Sequence, residues 1–306
     1  MLNSPLVSVV IPTYSRPTFL KRCVESVINQ SYSNIEIFVV DDNNPETEER
    51  LETEKVMACF ADNTRVTYLQ HEKNKNGSAA RNTGWRQSSG KYITFLDDDD
   101  EIEPTKIEKQ VECLEDLDDS WGSCYTGYRI IKENGSQVVS SETRSGDCYL
   151  YALMRTMFMG SGSNLFVRKE IVDGIGGYDE SFKRNQDIEF LARVLENHKI
   201  AYVDEILLTI HQEGSRTVRS YEQIDSYSQH YLNKFRDRIN ALPENEKKRV
   251  IGVISLERCR IAFRKKQYKA GIRILKENDV GSAILFKYIC YLGYRKITRK
   301  SYGFSG

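Results

Sequence analysis

The sequence has no long apolar run, and this absence limits what the chain can be. Of its 306 residues 40% are hydrophobic, yet no stretch approaches the roughly 20 apolar residues that a membrane-spanning helix needs. The N-terminus also has no basic region followed by an apolar segment and a cleavage site, so we expect no secretory signal peptide. Both absences favour a cytoplasmic location, which includes the inner face of the cell membrane.

Paired cysteines and an excess of one charge are also missing. The seven cysteines are widely spread and contain no C-x-x-C pair, a pattern typical of reduced thiols in a cytosolic protein. Lys plus Arg number 44 and Asp plus Glu also number 44, so the net charge is uninformative and electrostatic arguments must be local. We expect no nucleic-acid partner.

Alternating strand and helix patterns fill the first hundred residues. β-branched and apolar runs predict strands over 6–11, 35–40 and 65–69, and helical patterns follow them over 17–28, 46–60 and 77–87. Strands and helices at this spacing form βαβ units, in which the strands are parallel and the crossovers right-handed. The sequence therefore predicts an α/β fold with a mostly parallel sheet flanked by helices.

A cluster of carboxylates ends the next strand pattern. Residues 92–96 are aromatic, apolar or β-branched, and the four acidic residues Asp97 to Asp100 follow directly. Like charges this close raise one another's pKa values, so the cluster must be solvated or hold a cation. Ligands of open α/β sheets bind at the carboxyl ends of strands, which favours Mn²⁺ or Mg²⁺ with a phosphate-containing substrate. A solvated acidic turn is the alternative interpretation.

Four motifs occur in one order along the chain. Residues 7–14 read Val-Ser-Val-Val-Ile-Pro-Thr-Tyr, 39–42 read Val-Val-Asp-Asp, and Asn76-Gly77 with Ala80-Arg81-Asn82 precedes the acidic cluster. In this order they resemble the inverting family 2 glycosyltransferases of the bacterial surface-glycan type. The resemblance implies a GT-A (Rossmann-like) domain over 1–215, with a nucleotide-binding half at 1–101 and an acceptor-binding half at 102–215. A helical C-terminal extension would cover 216–306.

The same resemblance implies a donor site and a metal site. Tyr14 would stack on a base, and a carboxylate after the second strand would accept the imide N–H of uracil. Asp99 would be the main ligand of Mn²⁺ or Mg²⁺, although the fourfold repeat leaves its register open. The implied nucleotide-binding residues are Pro12, Thr13, Tyr14, Asp41, Asp42, Arg81, Asp97 and Asp98, and the implied metal ligands are Asp99, Asp97 and His211.

Simpler interpretations of these residues stay open. Asp41 and Asp42 could cap a helix or form an Asx turn. Arg81 could extend from a surface helix into solvent, and His211 could be a hydrogen-bonded residue at a strand end.

Asp187 is the candidate catalytic base. It lies at the start of a predicted helix in Asn185-Gln186-Asp187-Ile188-Glu189, a segment similar to the family's Glu-Asp motif, in which the Asp removes the acceptor proton. Gln186 stands where the family has Glu, which removes one charge. A carboxylate at a helix N-terminus stays ionised, as a base must, but this position is also that of an N-cap.

Two further segments carry predictions of their own. Residues 160–164, Gly-Ser-Gly-Ser-Asn, do not have the spacing of a phosphate loop, and we expect a strand closely approached by substrate or backbone. Residues 283–294 form an apolar, aromatic helix followed by basic residues. Such a helix suits an anionic membrane surface, and equally the catalytic domain or a second subunit in a homo-oligomer.

Together these observations predict an inverting, metal-dependent glycosyltransferase. It would move a sugar from a nucleotide-diphosphate donor, a UDP-sugar, to a hydroxyl of a lipid-linked or protein-linked glycan during bacterial polysaccharide or glycoprotein-glycan assembly. Two alternatives stay open from sequence: a non-catalytic binding subunit of glycosyltransferase type, and a sugar nucleotidyltransferase.

Overall fold

The computed structural model describes residues 4–212, 219–298 and 300–306. The chain forms two compact units. The first contains the described residues up to 147 and those from 159 to 212, and the second contains 148–158 and the described residues after 218. The domain boundary expected between residues 215 and 216 lies outside the described residues.

The first hundred residues have the expected alternation. The elements are β1 (Val7–Thr13), α1 (Pro17–Ile28), β2 (Ile35–Asp41), α2 (Glu48–Ala58), β3 (Val66–Gln70), α3 (Gly77–Gln87), β4 (Tyr92–Phe95) and β5 (Asp100–Ile102). Each predicted strand and helix in this region is confirmed, with bounds that differ by two residues at most. Pro17 begins α1 because a missing N–H costs nothing in the first turn of a helix.

The middle of the chain is more irregular. Its elements are α4 (Lys106–Glu115), β6 (Trp121–Lys132), β7 (Gln137–Val139), α5 (Tyr149–Leu153), β8 (Phe166–Arg168), α6 (Lys169–Ile175), α7 (Gln186–Val194) and β9 (Lys199–Gln212). The prediction of a strand over 160–164 is wrong, because Gly162–Asn164 is a single turn of 3₁₀ helix. Gly160 before it has φ +89°, outside the extended region that a strand requires.

Nine strands of the described chain form one sheet within the first unit, in the order β3-β2-β1-β4-β8-β6-β9-β5, with β7 beside β6. The first four strands are parallel, and β8 is antiparallel to β4. Thr13 pairs with Asp41, so β1 and β2 end side by side. The acidic cluster follows β4 on the other side of β1, which places all three strand ends at one edge of the sheet.

The three central parallel strands, β1, β2 and β4, are buried on both faces, as expected for strands covered by helices. Val9, Ile11 and Ile37 are fully buried, and the apolar side of α1 packs into the same core. α3 lies very close to β1: a Cβ atom added at Gly84 would be 2.4 Å from Cγ1 of Val10. Glycine at this position therefore allows α3 to approach the sheet that holds the acidic cluster.

The second unit is helical. After α5 it contains α8 (Tyr221–Lys234), α9 (Arg236–Ala241), α10 (Glu244–Arg264), α11 (Tyr268–Glu277) and α12 (Ser282–Thr298). Tyr231 of α8 is fully buried and donates hydrogen bonds to the carbonyl oxygens of Ala152 and Leu153. Among the described residues, no helix has the length and apolar character that a membrane crossing requires.

Candidate active site

Burial alternates along the acidic cluster. Asp98 and Asp100 are buried, whereas the side chains of Asp97 and Asp99 retain 27% and 23% of their exposure. The cluster forms a tight turn in which the backbone N–H of Asp100 donates to the carbonyl oxygen of Asp97 at 3.0 Å, and this turn directs alternate side chains inward. Asp97 and Asp99, two of the implied metal ligands, are thus the pair that a ligand can reach.

Asp98 is held by groups at the end of β1 and just after it. Thr13 Oγ1 donates to Asp98 Oδ2 at 2.7 Å, and Arg16 Nη2 lies 2.8 Å from Asp98 Oδ1. The other guanidinium nitrogen of Arg16 forms an ion pair with Asp99. Burial raises the pKa of Asp98 to about 7, although Arg16 opposes this shift. Asp98 is therefore a buried framework group, and its contact with a nucleotide stays a prediction.

The 3₁₀ turn holds the cluster from the other side. Ser161 and Ser163 donate hydrogen bonds to Asp100 Oδ2 at 2.7 and 2.6 Å, and Ser163 Oγ accepts from the backbone N–H of Asp97 at 2.9 Å. Burial raises the pKa of Asp100 well above its ordinary value. Sequence reasoning missed both serines and Arg16, because these contacts join residues far apart in the chain.

Arg81 does not extend into solvent. From α3 its guanidinium group forms an ion pair with Asp97 and donates from Nη1 to Gln186 Oε1 at 3.0 Å. It also lies over the ring of Tyr178, 5.4 Å from the centroid. The interpretation of Arg81 as a surface residue is therefore wrong. The residue joins the acidic cluster to the start of α7.

Asp187 lies in the first turn of α7, beside the 3₁₀ turn. A Cβ atom added at Gly162 would be 3.3 Å from Cβ of Asp187. The N-cap of α7 is Asn185, so Asp187 is not the capping residue. Burial raises the pKa of Asp187, and the nearby negative charge of Asp97 raises it further, whereas Arg81 opposes the change. The structure thus brings Asp187, Arg81 and Asp97 into one electrostatic group.

The position of α7 relative to α3 is fixed by one amide. Asn82 accepts a hydrogen bond from the backbone N–H of Tyr178 at 2.7 Å and donates to its carbonyl oxygen at 2.9 Å. Tyr178 in turn stacks on Phe190 of α7, with ring centroids 4.1 Å apart. Gly177 has φ +73°, and a Cβ atom there would be 2.5 Å from Oδ1 of Asn82. Glycine is therefore needed at the point where this segment meets α3.

Asp41 and Asp42 are buried and bonded to protein groups. Asp41 forms an ion pair with Arg50, 2.9 Å between Oδ2 and Nε, and accepts from the backbone N–H of Asn43 at 2.9 Å. Asp42 accepts from His71 Nδ1 at 2.7 Å and from the backbone N–H of Lys75 at 2.8 Å. The structure therefore gives both carboxylates a framework role, and their contact with a nucleotide stays a prediction.

Tyr14 and Pro12 differ in exposure from the aspartates. Tyr14 is 49% exposed at the end of β1, and Pro12 is partly buried. The next residue, Ser15, has φ +57°, and its backbone N–H donates to Asn43 Oδ1 at 2.8 Å. This turn leaves the Tyr14 ring available for stacking on a planar ligand, as the sequence predicted for a base.

His211 lies on β9, one residue after the partner of Asp100. Its Nε2 atom contacts Glu101 Oε2 at 3.2 Å. Among the described residues, no three His, Cys, Asp or Glu side chains converge as a metal-binding group. The predicted set of Asp97, Asp99 and His211 is therefore not assembled by protein atoms alone, and the role of His211 stays a prediction.

The donor chemistry of the site fits a hard divalent cation that also binds substrate phosphate. Mg²⁺ in such sites typically takes one or two carboxylates, with phosphate and water oxygens as its other ligands. The partly exposed carboxylates of Asp97 and Asp99 provide that number. Within the protein, an ion pair with Arg81 balances the negative charge of Asp97, and an ion pair with Arg16 balances that of Asp99.

Comparison with known proteins agrees with this geometry. Residues 8–176 match the family described as Glycosyl transferase family 2. An uncharacterized glycosyltransferase of Rickettsia prowazekii is 30% identical over 233 residues, which cover 74% of this chain and 70% of the relative.

Two solved structures show the same fold. S. aureus TarS 1–349 in complex with UDP-GlcNAc has a TM-score of 0.64 at 17% identity, and the match covers 85% of this chain and 73% of that one. The mannosyltransferase PcManGT of Pyrobaculum calidifontis, in complex with GDP-Man and Mn²⁺, has a TM-score of 0.60 at 16% identity, covering 97% and 83%. The α/β fold of GT-A type predicted from the sequence is confirmed. The chain belongs to glycosyl transferase family 2, whose members are sugar-transferring enzymes.

Proposed function

We propose that the chain is an inverting glycosyltransferase that depends on a divalent cation and takes its sugar from a UDP-sugar. The observation that carries the proposal is the grouping of Asp187, Arg81 and Asp97 beside the carboxyl end of β4. This grouping supplies a base, a cation for phosphate and a partly exposed carboxylate, the three kinds of group that transfer from a nucleoside diphosphate uses.

Asp187 is the proposed base. Its raised pKa makes it a better proton acceptor than an ordinary aspartate, which suits a general base. One of its carboxylate oxygens takes the proton of the acceptor hydroxyl as that oxygen bonds to the anomeric carbon. The bond from this carbon to the diphosphate breaks on the opposite face, and its electron pair stays on the phosphate oxygen. The configuration of the sugar is thereby inverted.

Arg81 is the proposed cation for the departing diphosphate. The guanidinium group is held by Gln186 and Asp97, so it is already oriented before a substrate binds. Such preorganised positive charge stabilises a leaving group whose negative charge grows during the reaction. A divalent cation held by Asp99 and Asp97 would supply further charge neutralisation at the same phosphates.

We further propose the wider setting of the reaction. The acceptor is a glycan hydroxyl, lipid-linked or protein-linked, in bacterial polysaccharide or glycoprotein-glycan assembly, on the cytoplasmic side of the membrane. α12 supports a peripheral contact with a membrane or a second subunit, because Phe286, Ile289 and Ile297 are 69%, 58% and 83% exposed. The sequence from 282 to 306 contains no acidic residue, which suits an anionic surface.

The substitution Asp187→Asn tests the assignment of the base. We expect UDP and Mn²⁺ to bind as in the wild type, while transfer and donor hydrolysis fall by a factor of about 10² to 10⁴, the usual contribution of a general base. A panel of UDP-sugars assayed for UDP release identifies the donor first. Asp62→Asn is the matched control because Asp62 is exposed. Near wild-type turnover by Asp187→Asn would show that another group is the base.

A further inference from the structure

The second unit contains a recess that lies wholly within it. Its volume is about 350 Å³, including its open mouth. Three parts of the unit line it: one face of α10, one face of α12, and the segment that follows α5. On α10 the lining residues Val253, Glu257 and Arg260 recur at helical spacing, as do Tyr288, Tyr291 and Arg295 on α12.

Positive charge predominates in this recess. Its lining includes the guanidinium groups of Arg155, Arg260 and Arg295 but only one carboxylate, that of Glu257. Three positive charges and one negative charge leave an excess of two. Glu257 lies 3.7 Å from Nη2 of Arg155, at the limit of an ion pair. Arginines gathered with so little compensation repel one another, and an anion between them would relieve the repulsion.

Two of the three guanidinium groups have partners in the protein. Arg155 Nη1 donates to Ser228 Oγ at 3.0 Å. Arg295 lies 5.0 Å from the ring centroid of Phe158, and its Nη1 donates to the hydroxyl of Tyr291 at 2.9 Å. These contacts fix the two groups at the wall of the recess. Arg295 Nε also donates to the carbonyl oxygen of Lys300 at 3.4 Å, and further N–H donors remain on both guanidinium groups.

Arg260 is different. Its Nε atom is buried without a hydrogen-bond partner, and the side chain forms no ion pair with any residue in the described part of the chain. A buried donor without an acceptor is costly and rare in native proteins. Arg260 interacts electrostatically with the phenols of Tyr288 and Tyr291, whose pKa values are raised by burial, so both are neutral at physiological pH. Arg260 therefore presents an unmatched charge and unmatched donors to the recess.

We propose that this recess binds the phosphate group of an anionic ligand. Arginine forks bind phosphate oxygens in pairs, and the aromatic walls formed by Tyr288, Tyr291 and Phe304 exclude water and strengthen such bonds. The site is separate from the sugar-transfer chemistry and does not rest on it. The phosphate could belong to a lipid headgroup or to a soluble compound, and binding experiments separate these two sources.

Arg260→Gln is the decisive variant. It removes the unmatched charge and breaks no hydrogen bond or ion pair of the described chain, so the protein should fold. Arg264→Gln, one turn further along the same helix and exposed, is the control. With inorganic phosphate as the probe and sodium chloride at equal ionic strength as the reference, the full chain should melt about 3 °C higher at ten times the dissociation constant. Titration calorimetry should show binding at least tenfold weaker in Arg260→Gln and unchanged in Arg264→Gln.

Vesicles provide the second part of the test. Sedimentation with phosphatidylcholine vesicles that contain phosphatidic acid, compared with pure phosphatidylcholine, measures binding to a lipid phosphate. A response to these vesicles that Arg260→Gln loses assigns the phosphate to a lipid, and a response to inorganic phosphate alone assigns it to a soluble compound. Equal binding of both probes by wild type and Arg260→Gln, or binding of neither probe by the wild type, overturns the proposal. Donor hydrolysis should be unchanged in Arg260→Gln, so failure here leaves the proposed transferase site unaffected.

Discussion

The substitution Asp42→Asn separates a framework role from a ligand role at the end of β2. Asp42 is 2% exposed, and its carboxylate accepts four hydrogen bonds. Oδ1 accepts from His71 Nδ1 and the Lys75 N–H, and Oδ2 accepts from Asn74 Nδ2 at 2.8 Å and the Asn76 N–H at 2.9 Å. Since a carboxylate only accepts, His71 must carry its proton on Nδ1. An asparagine side chain offers a single accepting oxygen.

The cost of this substitution follows from the geometry. In either orientation the new NH₂ group faces one backbone N–H, that of Lys75 or that of Asn76, which is then left without an acceptor. A buried donor without a partner costs about 1–3 kcal/mol, and the lost charge weakens the bonds that remain. We expect a loss of about 3 kcal/mol in the free energy of unfolding. This corresponds to a melting temperature about 6–12 °C lower for a domain of this size.

The substitution should also affect the active site indirectly. Asn76 accepts from the backbone N–H groups of Ser78 and Ala79 and so caps α3, which carries Arg81. If the backbone at Asn76 loosens, Arg81 is less well placed, and donor affinity should fall together with stability. Thermal and urea unfolding measure the first effect and UDP titration the second, with Asp62→Asn as the control. A variant of wild-type stability that binds UDP tenfold more weakly would refute the framework role and show direct contact with the nucleotide.

Three further perturbations extend the reasoning. kcat/KM should fall at acidic pH with a midpoint above the usual pKa of aspartate, because a base acts only when deprotonated and the pKa of Asp187 is raised. A kcat/KM that stays unchanged down to pH 4 would contradict this. Gln186→Glu gives Arg81 a second carboxylate partner that competes with Asp97, so the KM for the donor should rise about tenfold with little loss of stability. An unchanged KM would show that Gln186 does not affect donor binding. Burial lowers the pKa of Lys106 to about 8, so the unfolded state binds more protons between pH 8 and 10.5 and wild-type stability should rise with pH across that window. Lys106→Met should abolish this rise and increase the free energy of unfolding at pH 7 by about 2 kcal/mol. This gain is less than the full cost of the pKa shift because Gln110 loses its hydrogen bond to Lys106. No gain in urea unfolding would argue against a charged, buried lysine.

Local patterns were sufficient to predict the strands and helices of the chain up to β4. Apolar runs, a proline at a helix start and an asparagine before α3 are short-range signals, and they gave the strands and helices up to β4 correctly. The acidic cluster is a feature that such short-range signals cannot resolve. Four identical side chains have no distinguishable register in sequence, and only the packing of Asp98 against Thr13 and Arg16 makes Asp97 and Asp99 the accessible pair.

Residues that act through distant partners were harder to predict. Sequence reasoning gave no role to His71, yet its ring joins Asp42 to Thr83 of α3, with 2.9 Å between Nε2 and Oγ1. The strand predicted over 160–164 was wrong because the two serines turn toward Asp100, a residue about sixty positions earlier. Such contacts have no local periodicity, since they depend on the order in which strands pair across the sheet.

The amide bridge from Asn82 to Tyr178 bears on how new specificities could be engineered. Because the side chain bonds both backbone polar groups of Tyr178, it holds that residue by main-chain atoms that every amino acid except proline possesses. Between this bridge and α7, Phe182 is buried and Glu180 accepts a hydrogen bond from Asn82, whereas Ser181, Lys183 and Arg184 are exposed. A library confined to these three exposed positions would therefore vary the surface that precedes α7 while the bridge keeps the backbone of Tyr178 in place.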